Sequence, residues 1–321
     1  MPHLNVIFTG TSAFAVPSLQ RLAKGEYVPQ AVITRPDRLA GRGAKLSVTP
    51  VKEEALRLGL EVLQPADAAE LLTILEKRKT HVLVNVAYGM ILPSTVLQMP
   101  SRGCINLHPS LLPAYRGAAP IQRALMAGEK VTGVTVLFMS PKLDAGNIIV
   151  QHKVLIEDDE NYGSLHDRLA LEGAICLEDA LDMLVQGNIS SLPQEEGKAS
   201  YAPPLSKEDE LIDWDKSATE IYNKVRALVP SPGAYTIFKE KRLKILEVIP
   251  VLECPKKTDF ETLSYTDYLP GTIFYVGKDC FHVRAGEGFL RVLELQPQGK
   301  RRMKVEDFLR GNPFKEGEKL G

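Results

Sequence analysis

Two polar residues interrupt the apolar run Cys104-Ile105-Asn106-Leu107-His108, and a single residue separates them. At strand periodicity that spacing turns a carboxamide and an imidazole to the same face. The pair suits a reaction that builds negative charge on a carbonyl oxygen. Asn106 donates a hydrogen bond to the developing oxyanion, and His108 moves a proton near neutral pH. The same spacing also fits a structural Asn and a hydrogen-bonded His at a strand end. Pro109 and Pro113 stiffen the segment that follows and turn it over that face. A carboxylate enters from farther along, in Leu143-Asp144-Ala145-Gly146-Asn147-Ile148. An isolated Asp-x-Gly reads as a turn. Carried to His108 by the fold, Asp144 instead fixes the imidazole tautomer and takes up a proton, directly or through water. Covalent catalysis finds no support, because no Ser occupies a Gly-x-Ser-x-Gly elbow and no Cys carries a catalytic signature.

These residues need a scaffold. Residues 4–8, 31–34, 82–86 and 104–107 are short, near-continuous apolar runs. Between them, 14–24, 51–58 and 68–79 have helical spacing, with Pro17 tolerable in a first turn, Thr49-Pro50 opening the second helix and Asp67 capping the third. That alternation predicts an α/β domain with a mostly parallel sheet covered on both faces, Rossmann-like in type. The first run ends in Gly10-Thr11-Ser12-Ala13-Phe14, not in Gly-x-Gly-x-x-Gly, and no Walker-type loop is present. Dinucleotide binding therefore loses its main sequence support. Residues 131–139 and 148–156 continue the strands, and 165–185 form a long amphipathic helix closed by Gly187-Asn188.

Residues 190–206 are aperiodic and rich in Ser, Pro, Glu and Gly, which reads as a linker between a catalytic domain, 1–189, and a second domain, 207–321. In the second domain a helix over 218–228 precedes the turn Val229-Pro230-Ser231-Pro232-Gly233. Short β runs at 235–238, 243–251, 272–276, 281–284 and 289–295 predict a small antiparallel barrel, and 305–309 a final helix.

Composition narrows the function classes. Among 321 residues, 39 Lys and Arg nearly balance 40 Asp and Glu, for a formal charge of −1. A protein that coats nucleic acid by net charge alone is excluded, while a local basic face is not. Cys104, Cys176, Cys254 and Cys280 are scattered, without Cys-x-x-Cys or zinc-ligand spacing, so they read as reduced thiols and no metal is expected. No apolar run reaches the ~20 residues of a membrane span. The N-terminus has no basic leader, and a cytoplasmic location with no membrane partner is the expectation.

Residues 108–121, together with 143–148, resemble the formyltransferase family that uses 10-formyltetrahydrofolate. Arg35-Pro36-Asp37-Arg38-Leu39-Ala40-Gly41-Arg42-Gly43, Ala87-Tyr88-Gly89-Met90-Ile91-Leu92-Pro93, residues 222–235 and the tail from Gly299 through Gly311 fit the same pattern, in order along nearly the whole chain. Ser12-Ala13 and Ala145 depart from it, and neither touches the trio. The resemblance implies a Rossmann-like formyltransferase domain followed by an OB-like, tRNA-binding β-barrel. It implies catalytic roles for Asn106, His108 and Asp144, and a folate site lined by Ser110, Leu111, Leu112 and Pro113. Tyr88, Gly89, Met90, Ile91 and Leu92 would form the wall under the pterin ring. The implied co-substrate is 10-formyltetrahydrofolate, without a metal. The implied acceptor is the α-amine of methionine on initiator tRNA, and the implied assembly is a monomer. Related proteins that share the His108 and Asp144 motifs leave an amino sugar nucleotide or water as alternative acceptors.

Positive charge concentrates in two places. Arg35, Arg38, Arg42 and Lys45 lie in a long Gly-containing connection, which reads either as a solvated loop or as a functional one. The resemblance sends it into the acceptor arm, with Arg42 near the end of the nucleic acid. Lys300, Arg301, Arg302 and Lys304 precede the last helix, where a barrel face can track phosphates, and Lys207, Lys239, Lys241, Arg242 and Lys244 extend that face. Tyr265 and Tyr268 read as surface-loop aromatics.

Overall fold

The structure, a computed structural model, describes residues 4–40, 45–187, 190–251, 268–312 and 314–321. They divide into two compact units, and neither is a continuous stretch of chain.

The first unit comprises residues 1–120, 130–156 and 165–203. Its seven-stranded sheet is built from β1 (Val6–Gly10), β2 (Ala31–Ile33), β5 (Val62–Leu63), β6 (Val82–Val86), β7 (Cys104–His108), β9 (Val131–Phe138) and β10 (Ile148–Leu155), in the order β10-β9-β7-β6-β1-β2-β5. From β5 to β7 every pairing is parallel, and β9 and β10 add an antiparallel margin. The strands are almost wholly buried, as a sheet covered on both faces requires. The connecting helices begin where their capping chemistry lies. α1 (Val16–Lys24) carries Pro17 in its first turn, α4 (Ser94–Leu97) follows β6, and α6 (Tyr162–Gln186) is the long helix after β10. α2 (Pro50–Arg57) is capped by Thr49, whose hydroxyl accepts from Lys52 N–H, and α3 (Ala68–Glu76) by Asp67, whose carboxylate accepts from Ala69 and Glu70 N–H. The order of strands reverses at β1, between β2 and β6. Open α/β sheets form their ligand crevice at such a point, outside the strands' C-terminal ends.

Some short pieces escape the pattern of the sequence. A hairpin of β3 (Arg38–Ala40) and β4 (Lys45–Ser47) occupies the basic connection, with only three paired residues per strand. Three residues are too few for a period-two pattern to stand out. β8 (Arg116–Gly117) pairs with β11 (Tyr201–Ala202), so the aperiodic segment 190–203 runs along the first unit, where Leu192 also bridges to Ile148.

The second unit comprises 121–129, 157–164 and 204–321. β12 (Ala234–Phe238), β13 (Lys241–Val251), β14 (Ile273–Val276), β15 (Phe281–Arg284), β16 (Phe289–Pro297) and β17 (Met303–Lys304) form an antiparallel sheet, ordered β12-β13-β16-β15-β14 with β17 on β16. Lys239 and Glu240, both at positive φ (48° and 63°), make the two-residue turn that joins β12 to β13. α8 (Ala218–Ala227) starts in a reciprocal capping box between Ser217 and Glu220. With α9 (Val305–Leu309), it closes a core of Ile221, Val225, Ile245, Phe281, Val292 and Phe308. Among the described pairings none joins β12 to β14 directly, and the C-terminal residues lie between them: Ile273 N–H donates to the Glu318 carbonyl at 2.8 Å, and Gly321 N–H donates to the Ile237 carbonyl at 3.0 Å.

Candidate active site

Asn106 and His108 leave β7 on one face, at 9% and 4% exposure. His108 Nε2 lies 2.9 Å from the Tyr115 carbonyl oxygen. A carbonyl only accepts, so Nε2 carries the hydrogen, and Nδ1 is the nitrogen turned to Asp144, 3.6 Å from its Oδ2. The same Oδ2 accepts a hydrogen bond from Gly117 N–H at 2.9 Å. Asp144 and Tyr115 hold their backbones at φ 47° and 62°, strained for residues with a Cβ. The fold thus brings together an imidazole and a carboxylate 36 residues apart in sequence.

Asn106 is oriented by its neighbours across the sheet. Parallel register aligns Thr9, Asn85 and Asn106 on β1, β6 and β7. The Thr9 hydroxyl lies 2.9 Å from Asn85 Oδ1, and Asn85 Nδ2 donates to Asn106 Oδ1 at 2.6 Å. The acceptor end of Asn106 is occupied, which leaves its NH2 end to donate.

The segment after His108 is held by backbone contacts. Ser110 Oγ donates to the Ala114 carbonyl at 2.7 Å. Thr135, paired in register with His108, donates to the Ser110 carbonyl (2.6 Å) and accepts from Leu112 N–H (3.1 Å) and Gln151 Nε2 (2.8 Å). Leu112 is buried, and Leu111 and Pro113 are half-buried. Sequence reasoning passed over Thr135, although a hydroxyl inside the apolar run 134–138 was a visible signal. It also passed over Ser200, whose hydroxyl accepts from Tyr115 N–H at 2.9 Å.

A cavity of about 420 Å³ opens beyond the ends of β1, β2 and β6, lined by Thr11, Arg35, Arg38, Thr49, Tyr88 and Gly89 among others. Tyr88 is 1% exposed, burial pushes its phenol up to about 12, and its Oη has no hydrogen-bond partner among the described residues. Leu92 packs with Tyr88 in the core beneath the sheet, Met90 lies against that core, and Ile91 is exposed. Lys52 Nζ, 2.6 Å from Asp37 Oδ2, holds the base of the basic connection and draws the Asp37 carboxyl below its usual range. The thiols of Cys104 and Cys176 are buried and pushed up to about 12, which makes them poor nucleophiles.

The basic candidates divide. Arg38 is exposed on β3, and Lys45 lies on β4. Arg42, Cys254 and Tyr265 lie outside the described residues. In the second unit Lys300, Arg301, Arg302 and Lys304 are exposed, and Arg302 pairs with Glu294. No helix among the described residues is long and apolar enough to cross a membrane.

Comparison with known proteins gives two family matches, to the formyl transferase model over residues 3–181 and to the formyl transferase C-terminal domain model over 204–313. The chain is similar to the methionyl-tRNA formyltransferase of Moorella thermoacetica, at 46% identity over 99% of both chains. It is also similar to that of Pelotomaculum thermopropionicum, at 44% identity over 99% of both. In fold it resembles an N-formyltransferase from Helicobacter canadensis solved with folinic acid and dTDP-3-aminofucose. That match has a TM-score of 0.67 and 17% identity, over 92% of this chain and 99% of the other.

Proposed function

The chain belongs to the formyl transferase family, and from that premise we propose that it moves the formyl group of 10-formyltetrahydrofolate to the free α-amine of methionyl-tRNA, the initiator species. The observation that carries this reading is the His108–Asp144 pair at 3.6 Å, beside an Asn106 whose donor end is left available.

The folate co-substrate supplies an activated formyl carbon on nitrogen, and the chain's residues do the rest. The neutral amine adds to that carbon. Asn106 NH2 and a protonated His108 Nδ1 donate to the oxygen as it becomes an oxyanion. Asp144 orients the imidazole and helps take the proton the amine must lose, and a proton reaches the folate nitrogen as it departs. Holding both substrates in register accounts for up to roughly 7–11 kcal/mol of barrier lowering. Each oxyanion donor accounts for about 2.7–4 kcal/mol. Ser110 to Pro113 line the folate site, with Tyr88 to Leu92 as the wall under its ring. Arg38, Arg42 and Lys45 meet the acceptor end of the tRNA, and Lys300, Arg301, Arg302 and Lys304 of the C-terminal domain meet its phosphates.

One assay tests the reading. Labelled 10-formyltetrahydrofolate is supplied with initiator methionyl-tRNA, elongator methionyl-tRNA and an amino sugar nucleotide in parallel. Label on the initiator species alone is expected. Label on the sugar, or on neither tRNA, rejects the assigned acceptor.

A further inference from the structure

We infer that Gln194, from the aperiodic segment after the long helix, is a positioning residue that sets the orientation of Asp144. The inference rests on the formyl-transfer reading of the His108–Asp144 pair. Gln194 Nε2 donates to the backbone carbonyls of both Asp144 and Gly146, each at 2.8 Å. Its Oε1 accepts from Arg116 Nε at 3.0 Å and from Arg116 Nη2 at 2.8 Å. A guanidinium only donates, so the carboxamide cannot turn over without breaking all four hydrogen bonds. Arg116 is itself fixed, its side chain 2% exposed and paired with Glu196 at 3.2 Å.

These hydrogen bonds close a ring. Arg116 holds Gln194, Gln194 holds the Asp144 carbonyl, and the Asp144 carboxylate accepts from the N–H of Gly117, the neighbour of Arg116 in the chain. The loop has no slack on its other side, since a Cβ on Gly146 would stand 1.7 Å from the Phe138 carbonyl oxygen. An aspartate at φ 47° keeps its conformation only where its surroundings over-determine it. Gln194 supplies two of the hydrogen bonds that do so, and it acts on the reaction through Asp144.

The test compares the wild-type chain with Gln194→Ala and Gln194→Glu. The Glu variant keeps the shape and the Arg116 pairing but turns an acceptor toward two carbonyls. In both, kcat should fall by roughly 10- to 100-fold, the scale of a misplaced reacting group. KM for folate and for methionyl-tRNA should stay within about twofold, the signature of a loss felt in the transition state rather than in binding. Circular dichroism and melting temperature report folding. The inference is overturned by a kcat within about twofold of wild type in Gln194→Ala, by a loss confined to KM, by full activity in Gln194→Glu, or by unfolding of both variants. A wild-type chain that formylates no methionyl-tRNA would instead reject the underlying reading.

Discussion

An imidazole whose Nε2 is committed to a backbone carbonyl has one nitrogen left to work with, and in this chain that nitrogen faces a carboxylate. Removing any member of the trio should therefore disable the reaction without disturbing the sheet. His108→Ala, Asn106→Ala and Asp144→Ala are each expected to lower kcat by about 2.7–4 kcal/mol in barrier terms or more, with unchanged circular dichroism. Near-normal turnover in His108→Ala would remove it from the mechanism. A smaller effect is expected one strand away. Asn85→Val frees the Asn106 amide to rotate, which should raise the barrier by about 0.5–1.5 kcal/mol, read as a fall in kcat at constant melting temperature. Asn106 and His108 were legible in the sequence because two polar residues with strand spacing stand out in an apolar run. Asp144 was legible only through the family pattern, since an Asp-x-Gly by itself is an ordinary turn. Gln194 left no trace, because a glutamine among Ser, Pro, Glu and Gly carries no periodicity.

Elements announced themselves in proportion to their length and capping. The parallel strands, the helices behind Thr49 and Asp67 and the capping box at Ser217 follow from local chemistry. The β3–β4 hairpin and the two-residue β8–β11 pairing do not, since pairing and not pattern creates them. One ion pair ties two distant elements of the second unit together. Arg123, on α5 (Pro120–Met126), meets Asp209, on α7 (Lys207–Glu210), through two 2.7 Å hydrogen bonds. Chiefly through those bonds Arg123 lowers the Asp209 carboxyl from 3.8 to about 2. A carboxyl depressed on folding adds stability that is present above its unfolded value and is lost as pH falls through the folded one. Discounted for partial exposure, Asp209→Asn should cost about 1–2 kcal/mol in urea unfolding at neutral pH. That difference should fade as pH drops from about 4 to about 2, and a difference that persists at the acid end would assign the effect to something other than the charge.

At the scale of the molecule, a net charge of −1 means that a polyanion must be met by a face and not by the whole. Lys300 and Arg301 are exposed on that face, while Arg302 is partly neutralised by Glu294. Charge reversal of Lys300 and Arg301 should weaken tRNA binding and flatten its dependence on log salt by roughly 0.7–0.9 for each phosphate no longer neutralised. An unchanged slope would take the cluster out of the footprint. The two compact units also share the chain in an unexpected way. The backbone passes between them at residues 120/121, 129/130, 156/157, 164/165 and 203/204. A gene cut at the last of these points would yield a fragment that still carries 121–129 and 157–164, with Arg123 deprived of Asp209 and the Glu157 and Glu160 carbonyls deprived of Arg226. Grafting either half onto another protein therefore takes five joints rather than one, and a bisected version should regain its shape only when both pieces are made together.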